Sequence, residues 1–129
     1  YQWHMSDEEL HSIELQYIEH NDFSKIDLNY FREILYGVPK LLTEIEKQIS
    51  GELDRSIDEL NPIELAVLRV ATYELLKRLD IPYKVIISEA LSITKRFGST
   101  CGHKYVNGVL DKVAKKIRPL EVKKANDNG

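Results

Sequence analysis

The stretch that most constrains how this chain can fold runs from Asn61 to Lys77. Within it Ile63, Leu65, Ala66, Val67, Leu68, Val70, Ala71, Leu75 and Leu76 leave little polar surface on any side. A helix that is apolar nearly all round has to be enclosed by other elements, so this one is expected at the centre of the fold. Its start is well marked. Asn61 can cap, Pro62 suits the first helical position because its missing N–H needed no partner, and Glu64 sits near the positive helix end.

The remaining elements are read from apolar spacing. From Asp27, the residues Leu28, Phe31, Leu35, Val38, Leu42, Ile45 and Ile49 step by three and four, one stripe along a long helix. Pro39 lies inside it, removing a backbone donor and crowding the Leu35 carbonyl, which predicts a kink or two helices meeting; Gly51 ends the pattern. Upstream, Ser6 and Glu9 have capping-box spacing and predict a helix over 7–19 with Leu10, Ile13 and Tyr17 on one face, then a polar loop over 20–26. Ser56 and Glu59 repeat that spacing for a short helix. Asp80-Ile81-Pro82 is a break, because the residue before a proline avoids the helical region. A helix over 83–97 closed by Gly98, a turn over 99–102, and a helix over 103–117 with Val106, Val109, Leu110, Val113 and Ile117 inward complete the set. Pro119 is expected to stop that helix and leave 121–129 as a disordered polar tail. No stretch alternates with a period of two, so the class is all-α, with one domain over 1–120.

Composition narrows the setting. A chain of 129 residues with 43% hydrophobic residues can bury a core unaided, and its single cysteine, Cys101, excludes an internal disulfide framework. There is no apolar run of the roughly 18 residues a membrane span needs, which predicts a soluble, cytoplasmic protein. The opening Tyr1-Gln2-Trp3-His4-Met5 carries no initiator methionine, and the natural start is expected upstream. The net charge of −3 conceals a division. Residues 1–76 hold 6 Lys+Arg against 16 Asp+Glu, whereas residues 77–124 hold 12 against 4. Such a division predicts a basic face for phosphates and an acidic face for a basic protein, unless both are simply solvated.

Two constellations stand out. Lys95, Arg96, His103 and Lys104 bracket Phe97 and Tyr105, the mixture of cations and flat rings that holds single-stranded RNA through its phosphates and unstacked bases. Ordinary core packing accounts for the two rings equally well. Lys112, Lys115, Lys116 and Arg118 extend the basic track or serve the negative end of their own helix. Asp58, Glu59 and Glu64 could accept cations from a partner protein, although capping of their own helices is the simpler account. Catalytic and metal readings are weaker. Cys101 and His103 lack a third orienting group, and His4, His11 and His20 lack paired ligand spacing. Arg69 and Glu74 read as an internal polar pair or as charges at a helix rim. No enzyme activity and no cofactor are expected.

Three blocks carry a resemblance to a known family: Asn61-Pro62-Ile63-Glu64-Leu65-Ala66-Val67-Leu68-Arg69-Val70-Ala71-Thr72-Tyr73-Glu74-Leu75, then Asp80-Ile81-Pro82-Tyr83-Lys84-Val85-Ile86-Ile87-Ser88-Glu89-Ala90, then Lys104-Tyr105-Val106-Asn107-Gly108-Val109-Leu110-Asp111. In this order they resemble the NusB family of bacterial transcription antitermination factors, and Tyr30-Phe31-Arg32 with Gly37-Val38 extends the likeness. The resemblance implies a NusB-like bundle of two packed helical subdomains. It also implies binding of the single-stranded boxA element of nascent ribosomal RNA with the ribosomal protein NusE, inside an RNA polymerase antitermination complex. By position, Phe97 and Tyr105 would touch RNA with Lys104 on phosphate, and Glu64, Asp58 and Tyr1 would face NusE. Some members dimerise, so a homodimer is among the implied partners. Two departures are plain. The family's arginine-rich first helix is absent, and Cys101 stands in the turn where many members have an acidic residue. A similar module also serves as the RNA-recognition domain of ribosomal RNA cytosine methyltransferases, the alternative reading.

Overall fold

The computed structural model describes residues 25–97 and 102–128 and, ahead of them, Ser6, Glu8, residues 10–12 and Leu15. Six helices are numbered here: α1 (Lys25–Lys40), α2 (Leu42–Ser50), α3 (Pro62–Lys77), α4 (Tyr83–Phe97), α5 (Gly102–Ile117) and α6 (Pro119–Asn128), with a single 3-10 turn at Ile57–Glu59 before α3. No strand occurs among the described residues. Before α1, the Leu10 N–H donates to the Ser6 carbonyl at 3.0 Å, the bond an N-cap residue's carbonyl accepts. Leu10 is buried, while Glu9, Ile13 and Tyr17 lie outside the described residues.

The apolar helix takes the central position its composition demands. α3 packs against α1 and α2, which also touch each other, and against α4 and α5, which share the most extensive helix pair of the fold. Two helical groups thus meet on one shared helix. Leu68, Ala71 and Leu75 of α3 close the core with Val38, Ile45 and Ile49 from the first group and Ile86, Val106, Leu110 and Val113 from the second. At the start of α3 the Asn61 Oδ1 accepts from the N–H of Ile63 at 2.8 Å and of Glu64 at 3.4 Å, so the anticipated cap is made. Near Pro39 two helices meet: α1 ends at Lys40, and the Leu41 N–H is shared between the Gly37 and Val38 carbonyls, each at 3.2 Å. The stripe continues across this joint because Ile45 N–H still reaches the Leu41 carbonyl at 2.8 Å.

Several expectations need correction. Ser56 precedes only one 3-10 turn and its side chain makes no capping bond, so the second capping box does not form. Arg69 and Glu74 are not partners of each other. Arg69, buried in α3, donates through Nη2 to Glu46 Oε1 of α2 at 2.7 Å, and Glu74 accepts from the Tyr30 hydroxyl of α1. Both therefore tie the first helical group to the central helix. Tyr73 and Arg78 do the same through Glu33, at 3.1 and 2.8 Å. Spacing along one helix cannot reveal a partner on another.

The largest correction is the C-terminal segment, which is helical over Pro119–Asn128 with Val122 buried. Pro119 does end α5, and it also occupies the first position of α6, where a missing N–H costs nothing. Two contacts anchor this helix. Glu121 Oε2 accepts from the Tyr83 N–H at 2.7 Å, satisfying an unpaired donor at the start of α4. Arg118, expected either on a basic surface track or at the negative end of its own helix, is 6% exposed and donates to the carbonyls of Glu74, Leu75, Arg78 and Ile81 where α3 gives way to the turn before α4.

Candidate nucleic-acid interface

The last turn of α4 and the first turn of α5 place the predicted rings. Phe97 ends α4 and is 62% exposed, which excludes core packing as its role; the Arg96 guanidinium lies 5.5 Å from its ring centroid. Lys104 is exposed at the start of α5 and His103 is half-buried beside it. Lys95 belongs to another surface. Two residues from Phe97 it is turned by about 200° on the helix, and it lines a shallow groove of about 280 Å³ with Lys84, Ser88 and Ser92. The α4–α5 connection, with Gly98 and Cys101, lies outside the described residues.

Tyr105 differs from Phe97. Its side chain is half-buried against the core, and the Arg55 guanidinium covers its ring at 4.5 Å from the centroid. Its hydroxyl is buried without a hydrogen bond of good geometry among the described residues. Burial first, and the nearby Asp54 carboxylate second, hold the phenol above its ordinary pKa. Arg55 reaches the site from the loop between α2 and the 3-10 turn. Asp54 grips it edge-on, through Nε at 2.7 Å and Nη2 at 3.3 Å, and the arginine in turn holds the Asp54 carboxyl below its ordinary pKa. No local pattern pointed to Arg55, because its relation to Tyr105 exists only after α2 and α5 have packed together.

Arg55, Tyr105 and Lys104 line a cleft of about 500 Å³ together with Glu59, Asn61 and Glu64. The anticipated acidic and basic faces therefore touch here. Glu64 is 7% exposed on the cleft wall, whereas Asp58 is exposed on the 3-10 turn; Tyr1 lies outside the described residues. The basic track is shorter than the charge pattern promised. Lys112 and Lys115 are exposed, but Lys116 is drawn to the Gln48 carbonyl at 2.9 Å and to Glu52 at 3.4 Å, and Arg118 is buried. Among the described residues no group of His, Cys, Asp and Glu is placed to hold a metal ion, and no helix is long and apolar enough to cross a membrane. Chemically the site offers flat surfaces and cations beside a polar cleft.

Comparison with known proteins places this arrangement. The chain is 56% identical over 123 residues to the transcription antitermination protein NusB of Pseudomonas fluorescens (strain Pf0-1), covering 95% of this chain and 74% of that protein. It is 48% identical over 127 residues to the protein of the same name from Legionella pneumophila (strain Corby), covering 98% and 86%. The solved structure of T. maritima NusB superposes with a TM-score of 0.76 at 36% identity, covering 85% of this chain and 80% of that one. The family profile matches residues 1–115. With that profile, these identities and a shared helical arrangement, the chain belongs to the NusB family.

Proposed function

We propose that this chain is a transcription antitermination factor that binds the boxA element of nascent ribosomal RNA together with ribosomal protein NusE, and so supports processive elongation by RNA polymerase. The observation that carries the reading is Phe97, a large aromatic ring left open to solvent at the end of α4 with the Arg96 guanidinium beside it, and with Lys104 and Tyr105 in the first turn of the next helix. An exposed ring beside a guanidinium is a flat surface on which an unstacked base can stack while the cation attracts its phosphate. Lys104 then meets phosphate, with His103 beside it. Lys95, on the other side of α4, adds long-range attraction rather than contact. Glu64 and Asp58, with Tyr1, are assigned to NusE. The relatives are named transcription antitermination proteins, which supports a role without a catalytic step.

The test is fluorescence anisotropy of labelled boxA RNA against a scrambled RNA of the same length, with and without NusE. Phe97→Ala should weaken boxA binding about 5-fold or more, the loss of one stacked base. Equal affinity of the unaltered chain for both RNAs, with NusE present, would refute the proposal.

A further inference from the structure

The face of Tyr105 that a base would need is already occupied. The Arg55 guanidinium lies over it at 4.5 Å, and the arginine's own side chain remains 45% exposed. We propose that Arg55 and Tyr105 form one composite stacking subsite, in which an unpaired nucleobase of the RNA lies on the outward face of the guanidinium while the tyrosine ring backs its inner face.

The chemistry fits that order. A guanidinium is planar, delocalised and weakly hydrated, so a base can stack on it as on an aromatic ring. Such a surface works best when its plane is fixed in advance. Tyr105 fixes it from behind, and Asp54 fixes it from the edge by bonds to Nε and Nη2 that leave the outward face clear. The subsite opens on the cleft that also holds Lys104, so a cation for the adjoining phosphate stands on the same wall. Removal of Arg55 to expose the ring would break the stack and the edge-on pair together. Adding the base on top breaks neither.

The inference rests on the RNA reading proposed above, and the experiment separates the two. Labelled boxA RNA is titrated by anisotropy with NusE against the full chain and its Arg55→Ala, Arg55→Lys and Phe97→Ala variants, after circular dichroism shows each to be folded. Arg55→Ala should weaken binding about 5- to 150-fold, the range for one lost stack. Arg55→Lys should be nearly as damaging because it keeps the charge and loses the plane, and the salt dependence should keep its slope, since no phosphate contact is removed. Wild-type affinity in Arg55→Lys would make the arginine a simple phosphate contact, and tighter binding in Arg55→Ala would make it a cover over Tyr105; either overturns the subsite. An unaltered affinity in Arg55→Ala overturns it as well. If Phe97→Ala weakens binding at the same time, the RNA reading survives; if that variant is also silent, the RNA reading falls with it.

Discussion

Arg118 gives the sharpest test of how this fold is held. Its guanidinium donates through Nε to the Leu75 carbonyl at 3.0 Å, through Nη1 to Ile81 at 2.6 Å and Glu121 at 3.1 Å, and through Nη2 to Glu74 at 3.1 Å and Arg78 at 2.8 Å. All three nitrogens are used, and the side chain is 4% exposed. Arg118→Ala strands these acceptors where the end of α3 already concentrates negative charge. A lost hydrogen bond to a charged donor costs about 1.5–3 kcal/mol, but the losses are not additive because water reaches part of the space. The Glu74 carbonyl also retains its bond from the Arg78 N–H at 2.8 Å. A net loss of about 3–5 kcal/mol is expected, comparable with breaking a buried ion pair from one side. For a domain of this size that lowers Tm by about 10–20 °C. Arg118→Lys keeps the charge but not the fork, and should still lose about 2 kcal/mol. Urea denaturation followed by far-ultraviolet circular dichroism measures both variants. A loss below about 1 kcal/mol in Arg118→Ala would mean that water replaces the guanidinium without cost, and the account of α6 as an anchored helix would fail.

Two further outcomes follow from close contacts with α3. A Cβ at Gly37 would stand 2.7 Å from the Tyr73 hydroxyl and 2.8 Å from two of its ring carbons, and that ring is buried and bonded to Glu33. Gly37→Ala should therefore destabilise by about 1–2 kcal/mol in urea, because a clash with three atoms of the buried tyrosine puts overpacking at about 2–3 kcal/mol, the upper part of its usual range, against a helix-propensity gain of about 1; a variant as stable as the parent would show that α1 can move away freely. Burial raises the Glu74 pKa above its ordinary 4.5, with Glu89 and Glu33 acting the same way and the Tyr30 hydrogen bond and Arg78 opposing them. A raised carboxyl favours the folded state when protonated, so this contribution is full below 4.5 and is lost as pH rises through the folded value. Glu74→Gln, whose amide oxygen can still accept from Tyr30, should therefore show its greatest stability relative to wild type near pH 7. That advantage should shrink toward pH 4.5, and urea midpoints with a pH-independent difference would contradict the burial argument.

What could be read in advance depended on how far apart in the chain the interacting groups stand. The helical class, the central place of α3, the cap at Asn61-Pro62, the joint near Pro39 and the break at Asp80-Ile81-Pro82 each follow from residues within a turn or two of one another, so spacing suffices. Phe97 and Lys104 belong to that local kind, since they end and begin consecutive helices. The anchoring of α6 does not. A polar run after Pro119 reads as a tail until Glu121 meets the first N–H of α4 and Arg118 meets the last carbonyls of α3.

The same distinction decides what Tyr105 can be. Its neighbours in sequence, Lys104 and His103, made it a ring beside cations, equally suited to core or to base. Its neighbour in space is Arg55, brought over it by the packing of α2 against α5. Charge shows the rearrangement from another side. The acidic first half and basic second half predict two opposed faces, yet Arg78 pairs with Glu33 and Lys116 with Glu52, across that division. Those cations act within the fold, and the ones left exposed around Phe97 and Lys104 are fewer than the charge count implies. If RNA binds here as proposed, less free charge to draw in a polyanion leaves discrimination to depend more on stacking geometry than on net attraction. The proposed subsite then predicts that the orientation of a single guanidinium, gripped edge-on by Asp54, matters more to that binding than the sum of lysines along α5.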